Sequence, residues 1–101
     1  MHIVEILLPL CDNEGHRFGH APYEQVREEL VARFGGLTAF TRSPAEGLWE
    51  DEGERSRDQI VIFEVMSDGI DRNWWEKYRA ELEILFRQER IIVRAHEVEI
   101  I

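Results

Sequence analysis

The chain opens on "HIVEILL", residues 2–8, where apolar and polar positions alternate before Pro9, a pattern that predicts a strand. "CDNEGHRFGHA" follows as a glycine-containing loop. Pro22 then suits the first turn of a helix, where a missing N–H costs nothing. Tyr23, Val26, Leu30 and Phe34 recur at helical spacing, and Gly35-Gly36 supplies a left-handed cap. "LTAFT" predicts a second strand and "QIVIFEVM", residues 59–66, a third with high β propensity. Between them the pattern leaves about 15 residues of loop, longer than an ordinary hairpin connection. A second helix is marked by Asp71 as N-cap and by Ile70 and Trp75 as a hydrophobic staple. Trp75, Tyr78, Leu82, Leu85 and Phe86 form its apolar face, and "IIVRAHEVEII" predicts a fourth strand.

The order βαββαβ is that of an α+β, ferredoxin-like domain spanning residues 1–101. Right-handed crossovers place both helices on one face of a four-stranded antiparallel sheet of order 4-1-3-2. Strand parity then divides the side chains. Val4, Ile6, Leu8, Val61, Phe63, Val65, Ile91, Val93 and Ala95 are assigned to the helix side. The opposite parity holds Ile3, Glu5, Leu7, Ile60, Ile62, Glu64, Met66, Ile92, Arg94, His96, Val98 and Ile100. Eight of these are large and apolar. Leaving them in water would forgo roughly 1.5–3 kcal/mol each, a sum comparable with a net stability of about 5–15 kcal/mol. An apolar face of that extent marks an interface, and a second copy is its simplest cover, so a homodimer through the helix-free face is expected.

Composition narrows the partners. Twelve basic residues against 21 acidic ones give a net charge of -9, without a Lys/Arg cluster, which argues against nucleic acid. A single cysteine, Cys11, excludes an internal disulfide and fits a reducing cytoplasm. The opening segment carries Glu5 and no basic region, so it reads as a strand and not as a signal peptide. No apolar run approaches the roughly 20 residues of a membrane span.

Four charged or titratable residues interrupt the second sheet face: Glu5, Glu64, Arg94 and His96. Because the first strand lies between the third and fourth, Glu5 is expected beside Glu64 on one flank and Arg94/His96 on the other. Such a cluster either pairs internally across a dimer or serves proton transfer and small-ligand binding, with Glu64 and His96 as catalytic candidates. Cys11, His16 and His20 are possible ligands within ten residues, but they lack the pattern of a structural zinc or calcium site, and no metal or cofactor is expected. Trp74-Trp75 reads as packing, since no basic groove accompanies it. "EDEGERSRD" reads as a solvated hairpin tip. No nucleophile constellation or phosphate-cradling glycine loop is present.

"TAFTRSPAEGLWED", residues 38–51, begins as an edge strand on which Pro44 is tolerable. Its Arg42 and Trp49 either face a ligand, making 43–57 a lid, or pack at the sheet rim or against a dimer mate. "VEILLPLCDNEG", "FGGLTAFTRSPAEGLWED" and "IVIFEVM" together resemble a group of small bacterial proteins that share an FGG-TAFTR-PAEGLWED-like motif. The topology resembles the dimeric α/β-barrel superfamily. That likeness implies a site between the sheet and its covering elements, and a range of activities that includes cofactor-free monooxygenases, lactone isomerases and haem-handling proteins. No catalytic motif of those families is matched residue by residue, and fold analogy does not assign activity. Three expectations follow: a homodimeric cytoplasmic protein that binds a small organic ligand through Glu5, Arg42, Trp49, Glu64, Arg94 and His96, a cofactor-independent isomerase or oxygenase, or an interaction module without a ligand site.

Overall fold

A computed structural model describes residues 1–51 and 54–101, with side chains described outside 41–59. The elements run β1 (His2–Pro9), α1 (His20–Phe34), β2 (Thr38–Asp51), β3 (Glu54–Ser67), α2 (Arg72–Leu85) and β4 (Ile92–Glu97). They form one four-stranded sheet of order β2-β3-β1-β4, which is the expected order read from the other edge. All three pairings are antiparallel.

The inner face follows the alternation closely. Val4, Ile6 and Leu8 of β1 and Val61, Phe63 and Val65 of β3 are buried against Val26 and Leu30 of α1 and Trp75, Tyr78 and Leu82 of α2. Phe86 and Ile91 close the core beside them. Helix α1 ends where Gly35 takes φ 81°, a left-handed conformation that glycine adopts without a Cβ clash, and its N–H donates to the Val31 carbonyl. At the start of α2 the Asp71 carboxylate accepts the Trp74 N–H at 3.1 Å. The two helices are tied at their adjoining ends. Arg33 near the end of α1 lies 4.2 Å over the Trp74 ring and 3.6 Å from the Asp71 carboxylate, and Trp75 stacks on Phe34.

Two expectations need correction. Of the segment expected as a loop, 43–57, residues 43–51 belong to β2 and 54–57 to β3, whose pairing runs on from Ala45↔Ile60 to Asp51↔Glu54. Pro44 and the small residues nearby masked a strand that bulges and then resumes. Between Phe40↔Ile62 and Ala45↔Ile60, β2 advances five residues while β3 advances two. A proline without an N–H is accommodated at such an irregularity on an edge strand. The β1–β3 pairing ends at Pro9↔Ile60, so the hairpin extends past its neighbour as two strands. The fourth strand is also shorter than expected. Of its inward positions, Ile91 is buried, Val93 is half-buried and Ala95 is exposed.

Candidate functional site

On the helix-free face the side chains form rows across the sheet. Thr38, Glu64, Glu5 and Arg94 stand in register from β2 to β4. On one side of this polar row run Phe40, Ile62, Leu7 and Ile92, and on the other Met66, Ile3 and His96. The strand alternation thus places Glu5 between Glu64 and Arg94, as expected. Its Oε1 accepts from Arg94 Nε at 3.3 Å, with His96 Nδ1 at 3.8 Å from the same oxygen. The Glu5 side chain is only 17% exposed, whereas Arg94 and His96 are about half exposed at 54% and 55%. The carboxylate is therefore the more buried member, with Arg94 and His96 more exposed around it.

The flanking apolar rows are not uniformly bare. Ile3, Leu7, Ile60, Ile62 and Val98 are half-buried by their neighbours, while Phe40, Met66, Ile92 and Ile100 are exposed. Phe40 joins this face by its register with Ile62, which resolves which way the start of β2 points. Arg42 and Trp49, two of the expected ligand contacts, fall outside the residues whose side chains are described.

A cavity of about 410 Å³ lies between β4 and α2, and its lining includes Arg94 and His96 of the edge strand whose side chains meet Glu5 on the other face. It occupies the place where Ala95 escapes helix cover. Trp75 and Val93 supply apolar wall, and α2 contributes Arg72, Glu76 and Arg79. His2 lines it too, and among the described residues the buried Nδ1 of His2 has no hydrogen-bond partner. The volume falls within the usual range of small-molecule pockets. His2, Arg72, Glu76 and Arg79 escaped sequence reasoning. The signal was available in part, because positions 72, 76 and 79 share one face of a helix beside Trp75. What brings that face opposite β4 is tertiary packing.

The cysteine and histidine loop is a turn. Asp12 Oδ1 accepts the N–H groups of Glu14 and His16, both at 2.9 Å, and these contacts hold its carboxyl below the usual carboxylate range. Cys11 forms an isolated bridge with Arg17. Among the described residues no three His, Cys, Asp or Glu side chains are grouped to hold a metal. Trp74 stacks on Tyr78 at 4.8 Å, in keeping with a packing role. The Tyr78 hydroxyl donates to Glu29 Oε1 at 3.3 Å, and burial together with that carboxylate pushes the phenol far above its ordinary pKa.

The fold and the cross-strand cluster together define a ferredoxin-like α+β domain with a polar row on its open face. Solved structures with this fold include the divalent cation tolerance protein CutA1 of Thermus thermophilus, at 14% identity and a TM-score of 0.61, covering 97% of this chain and 84% of that one. CutA1 of Pyrococcus horikoshii aligns at 16% identity and a TM-score of 0.58, over 100% of this chain and 86% of the other. A phage SAM lyase in complex with S-methyl-5'-thioadenosine aligns at 17% identity and a TM-score of 0.59, over 95% and 80%. Likeness at this level establishes the fold alone. No protein-family pattern and no curated protein matches the sequence. Among the described residues no helix is long and apolar enough to cross a membrane.

Proposed function

We propose that the protein binds a small polar organic molecule at the junction of the β4–α2 cavity with the Glu5–Arg94–His96 cluster, and that it associates with a second copy through the open sheet face. The reading is supported by the cavity itself, whose lining includes Trp75 together with Arg94 and His96 of β4. Apolar lining with a few convergent polar groups is the ordinary composition of a ligand site. Self-association is supported by the exposed row ends Phe40, Met66 and Ile92. A closing lid at 43–57 is no longer part of the reading, since those residues lie in β2 and β3 apart from 52 and 53, which fall outside the described residues.

A panel of small organic acids and amines is expected to contain compounds that raise the melting temperature of the protein, because only a ligand preferring the native state does so. The same compounds are expected to lose that effect with Arg94→Ala. A panel without a stabilising compound, or one whose effect survives Arg94→Ala, ends this reading. A cofactor-independent enzyme is the second reading, favoured by the placement of His96 against the more buried Glu5 carboxylate. Turnover lost in Glu64→Gln or His96→Gln while binding persists would select it.

A further inference from the structure

A second cavity, of about 580 Å³, lies away from the cluster, between the start of α1 and the end of β1. Among the described residues its charged lining is Arg17 and Arg27 opposed by Glu24, with His20 beside them. This is a local excess of positive groups in a chain whose net charge is -9. Phe18 and Tyr23 form its apolar wall.

The Arg27 guanidinium is held in place. Arg27 Nη1 donates to Glu24 Oε1 at 3.1 Å, and its guanidinium lies 5.6 Å from the Phe63 ring centroid. A guanidinium fixed in this way keeps further N–H donors for another acceptor. The backbone of Arg17 is set by its β-bridge to Cys11 and by the adjoining Phe18 N–H, which donates to the Leu10 carbonyl at 3.0 Å, while its side chain is exposed. The tight turn at Asp12, with Gly15 at φ 86°, returns the chain so that Arg17 and Phe18 reach this position. Arg87 reinforces that turn, donating to Asp12 Oδ2 at 3.4 Å.

The aromatic wall is equally braced. Phe18 meets Phe86 edge to face at 5.2 Å, and Tyr23 packs on Phe63 and Phe86. The Tyr23 hydroxyl is engaged with the Pro9 carbonyl, so the tyrosine offers the cavity mainly its ring.

From this arrangement we infer that the cavity is a binding site for a small organic anion, a phosphate monoester or carboxylate carried on a flat apolar body. Guanidinium groups recognise both kinds of head by paired charge-assisted hydrogen bonds, and the aromatic wall accepts the body. This site shares no lining residue with the β4–α2 cavity.

Phenyl phosphate, benzoate, inorganic phosphate and phenol are the probes, titrated calorimetrically into the full chain at low salt. Phenyl phosphate or benzoate is expected to bind saturably, and the better of the two identifies the preferred head group. Inorganic phosphate should bind more weakly and phenol not measurably. Arg17→Gln and Arg27→Gln are each expected to weaken binding by about tenfold, the scale of losing a charge-assisted hydrogen bond. Arg94→Ala, which disables the other site, should leave it unchanged. Arg17 lies in the surface loop, so Arg17→Gln remains informative if Arg27→Gln fails to fold. The inference is overturned if neither phenyl phosphate nor benzoate binds, if phenol binds as well as they do, or if binding survives Arg17→Gln but is lost in Arg94→Ala.

Discussion

The two faces of the sheet are built from the same strands, yet the chain finishes one and leaves the other incomplete. On the inner side, Phe63 and its neighbours are sealed under two helices that are themselves clamped by Arg33, Trp74 and Asp71. On the outer side, rows of comparable apolar content are split by Thr38, Glu64, Glu5 and Arg94 and, among the described residues, meet no covering element. Apolar content alone therefore does not distinguish core from surface here. The difference is that the inner face is apolar at every central position, whereas the outer face has charge across its middle. A surface of that kind can be wetted, recognise a ligand or meet another protein surface, whereas the sealed centre of the inner face under Phe63 cannot.

The sharpest contrast between the faces is obtained one residue apart on β3. Phe63→Ala is expected to cost about 3–5 kcal/mol by removing a fully buried ring and leaving a cavity. Ile62→Ala, on the half-buried outer face, should cost clearly less, and urea denaturation of the two variants measures the difference. Similar losses would mean that the outer face is as well covered as the inner one. The next effect concerns association. Ile92→Glu is expected to leave chain folding nearly unchanged while shifting the protein towards monomer in light scattering, because a charge would enter the apolar row of the face. An unchanged assembly would remove this face from self-association.

The smallest expected effect lies on the helix side, at Tyr78. Its phenol is held above the ordinary value of about 10 in the folded state, so the contribution is complete below that pH. As pH rises further, the unfolded chain ionises first and the native state loses stability. Tyr78→Phe is expected to cost about 1 kcal/mol near neutrality and to flatten the alkaline decline in a pH series of denaturation curves. Tyr23, also raised by burial, leaves part of that decline in place.

Most of the architecture was legible because it rests on local rules. Alternation in residues 2–8 and 60–66 assigned the buried side of the two central strands, and Asp71 and Gly35 marked helix ends that the structure keeps. The Glu5, Glu64 and Arg94 row was legible too, since parity and strand order suffice to align it. The extended hairpin was not, because a bulge at Pro44 breaks the alternation from which a strand is recognised. Nor was the β4–α2 cavity, which exists because the helix leaves Ala95 uncovered. That shortfall of cover depends on how two elements pack, and no spacing within either one encodes it.

The central position of β1 also bears on how the chain reaches this state. Its two partners are residues 60–67 and 92–97, so each pairing must close a long span of chain before any contact forms. The helices and the β2–β3 hairpin, by comparison, are assembled from neighbours in sequence. Contacts of high sequence separation are the ones that slow two-state folding. The strand that becomes the spine of the sheet is thus the one whose docking sets the pace, and until it docks both the β3 edge and the helix faces stand open to other chains.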